Sequence, residues 1–153
     1  GVFRAQDYLG AQGHFGIGSD SNVLLDPAEE LRQLEYSQRI THHARNILVT
    51  AADHSTGRTL FDAALRGGMR ALGVTAVGFT AGAPADIVSL DGAHAALAAR
   101  QHDAMLDSWI FAAGRTAIDC VWRRGNKLVS GGRHVQRAGI AARYAKTLQG
   151  LLA

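Results

Sequence analysis

Apolar positions fall at helical spacing over much of the chain and at strand spacing over little of it. Val2, Phe3, Ala5, Tyr8 and Leu9 predict a short helix within residues 1–13, closed by Gly10 and Gly13. His14-Phe15-Gly16-Ile17-Gly18 predicts a short buried strand, and its glycines allow close backbone approach at the strand end. A polar cluster, Ser19-Asp20-Ser21-Asn22, follows at once. Asp26-Pro27-Ala28-Glu29 is a helix start, with a capping Asp, Pro at the first helical position and an acid three residues after the cap. That helix is expected to reach about residue 48. Leu31, Leu34, Tyr36, Ile40, Ala44, Ile47 and Leu48 lie on its apolar face, and Arg32, Glu35, Arg39 and Arg45 on the other. A second helix is expected from near Ser55 or Thr56 to Arg66, with Leu60, Phe61, Ala64 and Leu65 inward. Gly67-Gly68 should break it, leaving a short helical piece that ends at Gly73.

From Val74 the pattern turns to short β pieces. Residues 85–91 read as extended between Pro84 and Gly92, and Ala117 to Arg123 with Lys127 to Ser130 form a hairpin about Arg124-Gly125-Asn126. Residues 94–113 read as a helix carrying Met105, Leu106, Trp109, Ile110 and Ala113, and Arg137 to Leu151 as an amphipathic helix carrying Ile140, Ala141, Tyr144, Leu148 and Leu151. About one unit of parallel sheet and one hairpin are too few strands for a self-contained sheet, since isolated hairpins are marginal in water. Strands supplied by a further segment would complete it.

The 153 residues suit a single domain, and 47% apolar against 19% charged residues excludes a disordered chain. A net charge of +3 with scattered cations argues against nucleic acid as a partner. One cysteine, Cys120, excludes an intrachain disulfide and a Cys-rich zinc site, which fits a reducing, cytoplasmic compartment. No window approaches the roughly 18 apolar residues of a membrane span, so no membrane is expected as a partner. The start at Gly1, without Met, suggests a piece of a longer protein.

Asp20 is the leading candidate for chemistry. A carboxylate just after a glycine-bounded strand binds a metal ion and accepts a proton from its water. On local sequence alone a turn cap is the favoured reading, with Ser19, Ser21 and Asn22 as ordinary turn formers. The histidines form no convincing metal cluster. His42 and His43 point about 100° apart on a helix; His14 opens the predicted strand; His54, His94 and His102 sit in loops or at helix starts; His134 lies in a turn. Ser19 and Ser21 lack the Gly-x-Ser-x-Gly context of a nucleophile, and the glycines from Gly10 to Gly18 lack the order and the Lys of a phosphate loop. Arg32 and Arg39 read as solvated helix charges, and Trp109, Phe111 and Trp122 as core or interface aromatics.

Gly18-Ser19-Asp20-Ser21, then Gly82-Ala83-Pro84-Ala85-Asp86-Ile87-Val88-Ser89-Leu90-Asp91, then Val121-Trp122-Arg123-Arg124-Gly125, occur in an order that resembles the C-terminal part of amidohydrolase-superfamily enzymes. The run Glu30 to Arg39, Leu60-Phe61-Asp62-Ala63-Ala64, Asp107-Ser108-Trp109-Ile110-Phe111 and Gly132-Arg133-His134 are similar to the members that deiminate N-formimino-L-glutamate in histidine degradation. The resemblance implies an α/β fold: the C-terminal end of a (β/α)8 amidohydrolase barrel plus part of a small β-sandwich, incomplete in this chain. It places the last part of the barrel, with its eighth strand, in 1–73, the sandwich portion with an inserted helix in 74–134, and a C-terminal helix in 135–153. It further implies a zinc-dependent hydrolase in which Asp20 binds the metal and shuttles a proton. The other ligands would be histidines of a missing N-terminal part, so the isolated chain is expected to lack the zinc and to be inactive. A homodimer is the expected assembly. The alternatives are another aminohydrolase, guanine-deaminase-like, and a non-catalytic α+β interaction module.

Overall fold

The computed structural model describes residues 1–49, 55–75 and 78–153. Its internal packing divides the chain into two compact units, residues 1–83 with 91–117 and residues 84–90 with 118–153. Residues 91–117 therefore group with the first half of the chain, and the C-terminal helix groups with the sheet. Among the described residues, no helix is long and apolar enough to cross a membrane.

The first unit is helical: α1 (Ala5–Gly10), α2 (Pro27–His42), α3 (Thr56–Leu72) and α4 (Asp103–Ser108). Leu31, Leu48, Leu60, Leu97, Trp109 and Ile110 form its core. Gln38 of α2 fixes α1 from both sides of its amide, accepting from Ala5 N at 3.1 Å and donating to the Phe3 carbonyl at 2.8 Å. The start of α2 is as its residues predict. Asp26 Oδ1 accepts the Ala28 N–H at 2.9 Å, Pro27 takes the first turn, and the second carboxylate oxygen accepts Arg115 N at 3.0 Å.

Helix α2 ends at His42 rather than near residue 48. His43 (φ 51°) and Asn46 (φ 53°) turn the chain back in the left-handed region. Glu35 holds that return: its carboxylate accepts Ile47 N and Leu48 N, both at 3.0 Å, and Arg39 Nε at 2.7 Å. Leu48 is thereby drawn into the core. Glu35, expected on the solvated face, is fully buried, and the stripe turned inward is Ala28, Leu31, Glu35 and Gln38. Tyr36 and Ile40, expected inside, are exposed. Arg39 is likewise no free surface charge, since it lies 5.3 Å from the Tyr36 ring centroid and 5.2 Å from that of Phe111.

Helix α3, capped by Ser55 Oγ accepting Arg58 N at 2.9 Å, runs unbroken through Gly67-Gly68 to Leu72. The two glycines are contact points rather than breaks. A Cβ on Gly67 would overlap the Phe15 carbonyl, and one on Gly16 would approach the Gly68 backbone to 3.3 Å. Close approach of chain to helix at this point requires hydrogen in place of a side chain. Leu60 and Ala64 are buried as expected, whereas Leu65 is exposed. The hydrogen bond to Asp103 is the main cause of the raised pKa of Arg58; burial opposes it, and the charge of Asp62 adds to the rise.

Two further expectations are corrected. Residues 14–18 form no strand and are mostly exposed, because among the described residues none lies beside them to complete a ladder; they pack instead on α3. Residues 94–113 are not one helix. A 3-10 turn (Ala95–Leu97) is followed by left-handed Ala99 (φ 57°) and His102 (φ 50°), then by α4, a π-helical turn (Trp109–Ala113) and a second 3-10 turn (Gly114–Ala117). The π turn sets Trp109 and Ile110 into the core, with the Trp109 ring edge-on to Phe61 at 6.1 Å.

In the second unit β1 (Ile87–Leu90), β2 (Ile118–Arg123), β3 (Asn126–Ser130) and β4 (Arg133–His134) form one antiparallel sheet in chain order. The hairpin turn has positive φ at both central residues, Arg124 (50°) and Gly125 (80°), the geometry that suits the strand twist. Asp86 pins it, accepting Arg124 N at 2.6 Å and pairing with the Arg123 guanidinium. Where the β1–β2 register shifts, Ser89 Oγ accepts the Cys120 N–H at 3.1 Å. Helix α5 (Arg137–Leu152) buries no residue, leaving Ile140, Tyr144, Leu148 and Leu151 exposed.

Candidate functional site

Asp20 stands at the tip of a turn between the segment packed on α3 and the start of α2. The turn is closed by Asn22 N donating to the Ser19 carbonyl at 2.7 Å. Asp20 itself has φ 43°, a left-handed conformation that Asp adopts more readily than bulkier residues. Its side chain is exposed, and among the described residues its carboxylate accepts no hydrogen bond. Two other aspartates in the chain show what a capping carboxylate does: Asp26 takes Ala28 N and Asp91 takes Ala93 N, both at 2.9 Å. Asp20 does neither, and among the described residues its oxygens have no hydrogen-bond partner.

Neighbouring polar groups fix the turn from outside. Asn22 Nδ2 donates to Glu30 Oε1 at 2.8 Å, joining the turn to the first turn of α2. An open groove of about 360 Å³ runs beside the approach to Asp20, lined by Phe3, Phe15, Ile17, Leu34 and the polar Glu30 and Gln33. Ser19 and Ser21 donate no hydrogen bond that would mark a nucleophile among the described residues.

Among the described residues, no histidine joins Asp20 in a metal-binding group. His14 is exposed, and its carbonyl accepts the Tyr8 hydroxyl at 2.9 Å. His42 and His43 end α2, and His102 is an exposed loop residue. His94 and His134 each accept a backbone N–H two residues on, from Ala96 and Gln136, at 3.2 Å. His54 lies outside the described residues. Among the described residues, no three of His, Cys, Asp and Glu gather to hold a metal. A carboxylate oxygen is an ordinary zinc donor, so Asp20 fits such an ion as one ligand of a set.

Sequence reasoning passed over Asn22, Glu30, Gly67 and Gly68 as parts of this arrangement. Leu60, Ala64 and Gly67 keep helical spacing through the supposed break, which was a usable signal. The Asn22–Glu30 contact spans a loop and has no periodicity to reveal it.

Comparison with known proteins defines first the class. The fold matches an amidohydrolase from Brucella melitensis with a TM-score of 0.90 and 49% identity, covering 100% of this chain and 33% of that one. It also matches an adenosine deaminase from Xanthomonas campestris with bound zinc, with a TM-score of 0.74 and 25% identity over 93% of this chain and 32% of that one. The class this defines is the amidohydrolases, to part of which the chain is similar in fold and in sequence. By sequence it is 42% identical, over 152 residues, to formimidoylglutamate deiminase of Pseudomonas aeruginosa. That match covers 99% of this chain and 34% of the enzyme, so the chain spans about a third of the length of the relatives it matches. No family model matches.

Proposed function

We propose that this chain is part of a zinc-dependent deiminase that hydrolyses N-formimino-L-glutamate to N-formyl-L-glutamate and ammonia, and that Asp20 is its metal ligand and proton carrier. The observation that carries the reading is the free carboxylate at the turn after Gly18, in a chain similar to formimidoylglutamate deiminase along nearly its whole length. A bound zinc supplies Lewis acidity and makes water acidic enough to attack near neutral pH. Asp20 takes one proton from the attacking water as the water oxygen bonds to the formimino carbon and the C=N double bond becomes single, and passes it to that nitrogen. The same carboxylate then carries the remaining hydroxyl proton to the nitrogen as the C–N bond breaks, the formyl C=O forms and ammonia leaves. Among the described residues the turn keeps the carboxylate clear of local N–H groups, and an open groove lies beside residues 15–18 that precede it.

In this reading residues 1–73 belong to the end of the barrel, 74–134 to the sandwich portion with its inserted helical segment, and 135–153 to a terminal helix. The remaining ligands come from the rest of the same protein, the assembly is a homodimer, and the compartment is the cytoplasm. The exposed apolar positions of α5 suit an assembly larger than this chain. Ammonia release by the whole protein, measured with formiminoglutamate against guanine, tests the substrate. Asp20→Ala is expected to abolish turnover and lower zinc content while the circular dichroism spectrum is unchanged. Retained turnover would remove Asp20 from the mechanism.

A further inference from the structure

The Asp20 turn is held from two directions. Its approach is set where Phe15 and Gly16 lie against Gly67 and Gly68 of α3. Its exit is set by one side-chain hydrogen bond, Asn22 Nδ2 to Glu30 Oε1 at 2.8 Å. Glu30 is itself well anchored, because α2 begins at buried Asp26, whose two oxygens are both engaged, by Ala28 and by Arg115. Val23 and Leu25, which follow the turn, are exposed and add no packing that would hold it, Val23 being 99% exposed.

We infer that Asn22 and Glu30 are positioning residues for Asp20: their hydrogen bond fixes the Ser19–Asn22 turn on α2 and so sets where the Asp20 carboxylate stands. The inference rests on the proposed role of Asp20 as a metal ligand. An exposed hydrogen bond between two side chains contributes little to folding. Its effect at the carboxylate is another matter. Asp20 occupies a left-handed conformation that a loose turn would leave for the wider allowed regions, and groups that orient a ligand typically govern metal affinity by about tenfold or more. The pair therefore acts on the site rather than on the fold.

The test uses the whole zinc-loaded protein and reads zinc dissociation by competition with a chromogenic chelator, beside the thermal unfolding midpoint. Asn22→Ala and Glu30→Ala should each weaken zinc retention about tenfold, with the midpoint close to that of the parent. The double variant should lose no more than either single one, because both remove the same bond. Glu30→Gln, whose amide oxygen still accepts from Asn22, should retain zinc as the parent does. Parent-like zinc retention in both alanine variants, with Asp20→Ala impaired, overturns the positioning role and leaves the ligand role standing. Parent-like retention in Asp20→Ala overturns the ligand role and the positioning role with it.

Discussion

Glu35 is buried and accepts three hydrogen bonds, whereas Asp20 is exposed and accepts none among the described residues. Burial gives Glu35 a structural task, since a carboxylate removed from water needs its charge and lone pairs satisfied. It holds the return loop after α2, and the loop delivers Leu48 to the core. Glu35→Ala would leave the N–H groups of Ile47 and Leu48 without their acceptor. It should destabilise the protein by about 3 kcal/mol, read as a lower urea midpoint. Glu35→Gln, which keeps an acceptor but loses the charge, should cost less. The sequence placed Glu35 among the polar positions of the helix because a charged residue usually lies there. Only the loop's need for acceptors brings it inside.

At the scale of elements, the Gly67-Gly68 pair distinguishes helix propensity from packing. Gly68 has open space where a Cβ would stand, so Gly68→Ala should raise stability by up to about 1 kcal/mol through propensity alone. Gly67→Ala should instead lower it, because the added methyl overlaps the Phe15 carbonyl and must displace either α3 or the segment before Asp20. Thermal unfolding of the two variants checks the opposite signs. The helix starts at Asp26 and Ser55 were legible beforehand, since a cap is a local contract between a side chain and the next turn. Helix ends were less legible, because the left-handed residues His43 and Asn46 are neither Gly nor Pro. The break-up of residues 94–113 was hidden in the same way, by left-handed Ala99 and His102.

For the whole molecule, the chain spans about a third of the length of the relatives it matches. With Asp20 unaccompanied by a cluster of metal-binding side chains among the described residues, these 153 residues alone are expected to release no ammonia from formiminoglutamate. Ammonia production by the purified chain at a rate comparable to the whole protein would contradict that. On the proposed reading, chelation of the whole protein should abolish turnover and added zinc should restore it, with little change in secondary structure. The fold class and the likeness to amidohydrolases were legible from ordered motifs, while the strand at residues 14–18 was not realised. A strand is a pairing, and a sequence pattern supplies only one partner.

What the sequence determined by itself is whatever depends on neighbours in the chain: the caps of α2 and α3, the turn at Arg124-Gly125, the amphipathic face of α5, and Asp20 after its glycines. Tertiary structure alone decided that Glu35 and Gln38 lie inside, that Gly67 is a contact, and that Asn22 meets Glu30. Those outcomes depend on which groups approach from elsewhere, and periodicity along one segment carries no record of them. For Asp20, a cap and a ligand look alike in sequence. They differ in space by where the neighbouring N–H groups donate, and here Asn22 N donates to the Ser19 carbonyl, so that among the described residues Asp20 caps no backbone N–H.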